Sequence, residues 1–390
     1  MDVNKTSFKI LFAGDYHSYG DYNKFICKNP KHDTFSDKNL KEIISSCDLR
    51  VFNLENPLTK EKNLANKFGP HGIGSEESLN PISLAWFNVA TIATNHIYDA
   101  KNKGIEDTIR ACSSKNIETV GAGLSDQDAS KILYKKINSC NIAILNFSRI
   151  EFNTVSKNHG GANPLDPINN SIDIQTAKKN ADLVFVVIHD GVDLFHLPYP
   201  KLVKQVRFYA DMGADAIILH HSRYISGYEV YKETPIFYGL GNLLNLKDNE
   251  EEKRGLLVRF DIDDKKRLSF ELIPIITDIE NIKVSLPNNT SNRQILNDVE
   301  NRSSIIKDKD LLDAEWINFI EKQKNLYLSI ISYHSTLLFR IAFKLKLQGL
   351  LSYLLLLNKK KYLAVWNIFK CQSHFEATNE ILDNIFFKNK

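Results

Sequence analysis

Cysteine is scarce in this sequence and poorly placed for a scaffold. Cys27, Cys47, Cys112, Cys140 and Cys371 are odd in number, widely scattered and never in a Cys-x-x-Cys pair. That pattern argues against both a disulfide framework and a thiolate zinc site, and a reducing compartment is expected. Long apolar runs are missing as well. No stretch of about 18 uncharged apolar residues occurs, so a membrane-spanning helix is not expected. The opening "MDVNKTSFKILFAGD" carries only a short apolar stretch before an acid, too little for the core of a secretory signal. Charge of one sign is also lacking. A net charge of +3 on 390 residues creates no field suited to nucleic acid, so no such partner is expected. The cytoplasm is the expected location.

With 43% hydrophobic and 25% charged residues, the chain can bury a full core, either as two or three domains or as one large domain with an extension. From residue 8 to about 275, short β-branched runs alternate with longer helical segments, the signature of an α/β protein. Strands are expected at Lys9–Ala13, Arg50–Leu54, Val89–Ala93, Ile142–Asn146, Leu183–Ile188, Ala216–Leu219 and Ile236–Gly239. Helices are expected at Gly104–Lys115 and Tyr199–Met212, and a closing hairpin at Gly255–Ile262 with Leu268–Ile275. Polar, Asn- and Ser-rich sequence then marks a linker or surface excursion over 281–310. From residue 311 to 390, Pro and Gly nearly vanish and apolar residues recur at helical spacing. The expected organisation is an α/β domain over 1–280, that linker, and an all-helical C-terminal region.

The expected strands end in a restricted set of residue types. "KILFAGDYH" ends in Asp15 and His17, "RVFNLEN" in Glu55, and "VATIATNH" in Asn95 and His96. "VVIHDG" ends in His189, "DAIILHH" in His220 and His221, and "PIFYGLGN" in Asn242. Singly, each has a structural reading: a turn aspartate, a helix cap, a satisfied core histidine. Jointly they fall where α/β folds keep their sites, on the rim at the carboxyl ends of the strands. Oxygen and imidazole donors without thiolates suit Mn, Zn, Fe or Co, as one ion or two. Asp15 or Glu55 can bridge a pair of ions, and such a pair activates water for phosphoester hydrolysis. His96 is placed to protonate a leaving oxygen.

The ordered motifs "GDYH", "NLENPLT", "ATNHIYDAKNKGIEDTI", "VGAGLS", "HDGVD" and "GADAIILHHSRYISGYEVYKETPIFYGLGN" resemble the CapA family of capsule and poly-γ-glutamate synthesis proteins, over residues 10 to 245. The resemblance implies a metallophosphatase-like four-layer sandwich of two mixed β-sheets flanked by helices. It implies metal ligation by Asp15, His17, Glu55, Asn95, His189 and His221, with His96 catalytic. Asp193 falls where the family has Glu, and Asp99, Glu229 and Asn242 match further positions, expected to support the ligands rather than bind metal. The substrate class it implies is a phosphorylated or polymer-precursor small molecule, handled alongside polymer synthesis machinery.

Thr94 stands where the family has a first Asn. A larger departure is "HHSR", in which Arg223 replaces the second histidine of His-x-His. A guanidinium cannot ligate a metal. Three readings follow: a weakened, mononuclear site; His220 shifting in as ligand; or Arg223 acting on the substrate phosphate in two-point contact. A degenerate, non-catalytic member of a polymer synthesis or export complex is the alternative to the hydrolase.

Between Ile331 and His374 the sequence carries Arg340, Lys344, Lys346, Lys359, Lys360, Lys361 and Lys370 and no acid. Interleaved with apolar residues, they fit a helical layer with solvated lysines, or helices lying on the inner face of a membrane.

Overall fold

A computed structural model of the chain describes residues 7–331 and 359–386. Two compact units divide it: Met1–Ala65 with His71–Leu312, and Asn66–Pro70 with Asp313–Lys390. Among the described residues the first unit holds an eight-stranded and a six-stranded sheet, both mixed. The larger runs Lys283–Ser285, Leu268–Asp278, Arg254–Ile262, Phe8–Tyr16, Leu49–Leu54, Val89–Thr91, Glu118–Val120, and Asn242–Leu244 joins Phe8–Tyr16 in parallel. The smaller runs Tyr228–Tyr231, Thr234–Phe237, Ala216–His220, Leu183–His189, Cys140–Ser148, Leu133–Ile137.

Alternation along the central strands explains the layers. Ile10, Phe12, Val51 and Val258 of the larger sheet share one core with Ile142, Ile144, Phe185, Val187 and Ile218 of the smaller. Ring contacts tie the two together, with Phe12 stacked on Phe185 at 5.3 Å. The opposite face of the larger sheet, with Leu11, Phe52 and Leu257, buries Leu40 and Ile44 of the helix Lys38–Ser45 and Ile105 of the helix Lys101–Ser114. The helices Pro167–Asn180 and Pro200–Asp211 cover the smaller sheet through Ile174, Ala177, Leu202 and Val206. The result is the four-layer α/β sandwich, because strands buried on both faces must be apolar at every position.

Helix ends follow from local chemistry. Asp166 accepts hydrogen bonds from the backbone N–H groups of Ile168 and Asn169, with Pro167 in the first turn. Asp37 caps the helix Lys38–Ser45 through Leu40. The segment expected to be a linker is structured: Lys283–Ser285 pairs with Leu268–Asp278, and Asn289–Lys307 is a helix capped by Asn288. Its polar composition concealed a narrow apolar face of Ile295, Val299 and Ile306.

The second unit contains most of the helix Lys309–Ile331 and the helices Lys359–Lys370 and Gln372–Phe386. In it the Tyr327 hydroxyl lies 2.8 Å from Nδ1 of His374. The basic, leucine-rich stretch "LLFRIAFKLKLQGLLSYLLLL" lies outside the described residues. Among the described residues, no helix is long and apolar enough to cross a membrane.

Candidate metal centre

Sheet register brings the strand ends together. In the larger sheet Asp15 pairs with Asn53 on one side and Asn242 on the other. In the smaller sheet His189 pairs with Ser148 and with His220. Both rims carry the carboxyl ends of parallel strands. Gly14 allows the close approach behind Asp15: a Cβ there would lie 2.2 Å from the Gly241 carbonyl oxygen, which accepts from the Asp15 N–H. His221 and Arg223, just past the strand Ala216–His220, have φ of 101° and 65°. Backbone in this region is strained for non-glycine residues and is held by the surrounding structure.

Nε2 of His189 is the hub. It lies 3.1 Å from Oδ1 of Asn95, 3.3 Å from Oε2 of Glu55 and 3.1 Å from Nδ1 of His221. Glu55, His189 and His221 offer ligand atoms all within 4.8 Å of one another, and all three residues are buried. Burial pushes His189 down to about 4 and His221 well below its ordinary value, so both rings are neutral at pH 7, the form that ligates metal. This donor set fits a divalent ion of the borderline class.

Asp15 and His17 form the adjoining half. Asp15 accepts from Asn53 Nδ2 at 2.8 Å and from the His221 N–H at 3.1 Å, and its Oδ1 is 3.4 Å from Nδ1 of His220. Burial, and then the neighbouring Glu55, raise its carboxyl to about 7. His17 Nε2 is 2.9 Å from Oδ1 of Asn242, while its Nδ1 is buried with no hydrogen-bond partner. An orphaned imidazole nitrogen and a desolvated carboxylate are each groups that a cation would satisfy. The ring of Tyr19 lies over this half, 5.8 Å from His17 and 6.3 Å from His96.

Nδ1 of His96 is 2.7 Å from Oδ2 of Asp99, which also accepts from the Gly72 N–H. Asp193, half exposed, places Oδ1 3.6 Å from His221 Nε2 and 3.7 Å from Arg223 Nε. His220 is buried beside Asp15 and its Nδ1 makes no hydrogen bond. Glu229 is buried. It is held in a fork by Arg207, at 2.8 Å through both Nε and Nη2, and accepts from the Tyr238 hydroxyl at 2.6 Å, so its bonds fix the edge strand Tyr228–Tyr231 to the helix Pro200–Asp211.

Three contributors were not singled out in the sequence. Asn53 Nδ2 reaches both Asp15 and, at 3.3 Å, Nδ1 of His189. Arg149 is buried and donates to His221 Nε2 and, at 3.0 Å, to the Gly191 carbonyl, while pairing with Glu151. Asp190 accepts from the Tyr199 hydroxyl at 2.7 Å behind His189. A polar residue inside an otherwise apolar strand was the available signal for Asn53 alone.

A two-sheet α/β sandwich with buried Asp, Glu, Asn and His donors gathered at one rim is the class of protein that this architecture defines. Within that class the chain belongs to the bacterial capsule synthesis protein family PGA_cap, whose model matches residues 9–247. It is 33% identical over 240 residues to the PGA biosynthesis protein CapA of Bacillus subtilis (strain 168), covering 60% of this chain and 63% of that protein. It is 30% identical over 211 residues to the capsule biosynthesis protein CapA of Bacillus anthracis, covering 53% of this chain and 51% of that protein. The chain thus spans less than two-thirds of the length of either relative. A crystal structure of a hypothetical protein from Thermus thermophilus superimposes with a TM-score of 0.43 at 13% identity, over 68% of this chain and 98% of that one.

Proposed function

We propose that this chain is a metal-dependent phosphoester hydrolase serving capsule or poly-γ-glutamate biosynthesis, with a phosphorylated or polymer-precursor small molecule as substrate. The observation that carries the reading is the convergence of Glu55, Asn95 and His221 on Nε2 of His189. Glu55, Asn95, His189 and His221 would hold one ion, and Asp15 and His17 with Glu55 a second. A bound Mn, Zn, Fe or Co ion would supply a Lewis acid and lower the pKa of a coordinated water.

The chain's own groups do the rest. Asp99 fixes the orientation of the His96 ring, which would deliver a proton to a leaving oxygen. Arg223, held loosely by half-exposed Asp193, is a cation available to phosphate oxygens. The free cysteines support a reducing, cytoplasmic setting.

A second reading, a non-catalytic component of a polymer synthesis or export complex, is favoured by one observation: Arg223 stands where the resemblance implies a ligand histidine. A phosphatase screen with Mn, Zn, Fe, Co and Mg, combined with metal analysis of wild type and His189→Ala, tests both. Metal-dependent hydrolysis lost in the variant supports the enzyme. Bound metal without hydrolysis of any phosphoester supports the second reading.

A further inference from the structure

We propose that the outer face of the helix Lys359–Lys370 is a docking surface for an anionic lipid membrane. This goes beyond the hydrolase reading and does not depend on it. The helix has two unlike faces. Ala364, Asn367 and Ile368 are buried, as is Cys371 just after the helix, and these account for its packing within the second unit. The outer face should then be polar. Instead it carries Tyr362, Trp366 and Phe369, at the i, i+4, i+7 spacing of one stripe, 54%, 45% and 68% exposed.

Charge identifies the occupant. "KKKYLAVWNIFK" holds four lysines and no acid, and no acid occurs anywhere from Ile331 to His374. Lys360 is exposed, and the Lys370 ammonium sits 5.0 Å from the Trp366 ring centroid, so cation and aromatic share one surface. A protein groove for an aromatic helix face need not be acidic. An anionic lipid surface is acidic throughout, and it favours Trp and Tyr at the headgroup level with lysines reaching up to phosphates. Each lysine close to such a surface strengthens binding about fivefold.

The test is flotation of the full chain with phosphatidylcholine vesicles, with and without about a third phosphatidylglycerol. Trp366 emission is followed by comparison with Trp366→Phe. Wild type should float with the anionic vesicles, shift its emission to the blue, and release as salt is raised. Trp366→Ser/Phe369→Ser should lose flotation. Lys360→Gln/Lys361→Gln/Lys370→Gln should weaken it about a hundredfold. All the substituted side chains are exposed or partly exposed, and an unchanged circular dichroism spectrum with an unchanged thermal midpoint confirms that each variant folds. Absence of wild-type flotation overturns the proposal. So does full flotation by the serine variant, which assigns binding to another segment. A change of oligomeric state in that variant would assign the face to a second copy of the chain and overturn it equally.

Discussion

Nε2 of His189 meets Nδ1 of His221 at 3.1 Å, nitrogen to nitrogen, with both rings buried. Two neutral imidazoles in that position can share one proton or coordinate one ion. Protons compete for the lone pair of His189 only below its folded-state value of about 4, well under the ordinary histidine value. Metal bound at the His189 half is therefore expected to survive desalting at pH 5 and to be released only as pH falls below about 4. Metal content measured across that range checks this, and release centred near 6.5 would argue that the histidines are solvated.

Asp15 carries the opposite shift. Its carboxyl is raised to about 7, so the metal-free folded state holds a proton that the unfolded chain, with an ordinary aspartate, gives up near 4. The stability this contributes is complete below pH 4 and is lost as pH rises through 7. Asp15→Asn should leave metal-free stability unchanged at pH 4 and increase it at pH 8 by about 1–3 kcal/mol, after the loss of one accepting bond. The same variant should bind metal more weakly. Denaturant melts of chelated protein at the two pH values decide the matter, and a variant less stable than wild type at pH 8 would contradict the burial argument.

The sandwich and most of the donor set were legible because both sheets are buried on both faces. Near-continuous apolar runs such as Leu183–Ile188 end abruptly where donors begin, and that contrast survives in sequence. Boundaries were less legible: Asp15, Tyr16, His189 and His220 belong to the strands themselves, so the strands run on into the donor residues. Arg149 was hidden for a different reason. In "NFSRI" it reads as a solvated charge, and only the fold brings His221, 72 positions away, against its guanidinium. Glu229, a motif match, has its carboxylate bonded to Arg207 and Tyr238, a pairing that the motif does not reveal.

Buried Arg149 leads to a test of its own. Its guanidinium is 4% exposed and pairs with Glu151, so removing it strips a buried carboxylate of that countercharge. Arg149→Ala should cost about 3–5 kcal/mol, and Arg149→Lys less, because an ammonium retains the charge but not the fork toward His221 and the Gly191 carbonyl. Chemical denaturation measures both. A loss under about 1 kcal/mol for Arg149→Ala would mean that water replaces the guanidinium.

Arg223 separates the roles of ligand and substrate cation. Its side chain is largely buried, its backbone is left-handed, and its Nε faces Asp193 at 3.7 Å, so it is fixed near the cluster without binding a metal. If the imidazole missing from this position is what limits the second site, Arg223→His should raise the number of tightly held ions per chain, read by elemental analysis. Arg223→Ala should leave the metal count unchanged while raising KM for a phosphoester tenfold or more, because a charge-assisted two-point contact is worth about 1.5–3 kcal/mol. A KM unaltered in Arg223→Ala, with kcat equally untouched, would remove Arg223 from substrate binding. A metal count unaltered in Arg223→His would show that the second site is limited by something other than the missing histidine, for which the protonated carboxyl of Asp15 is the nearest cause.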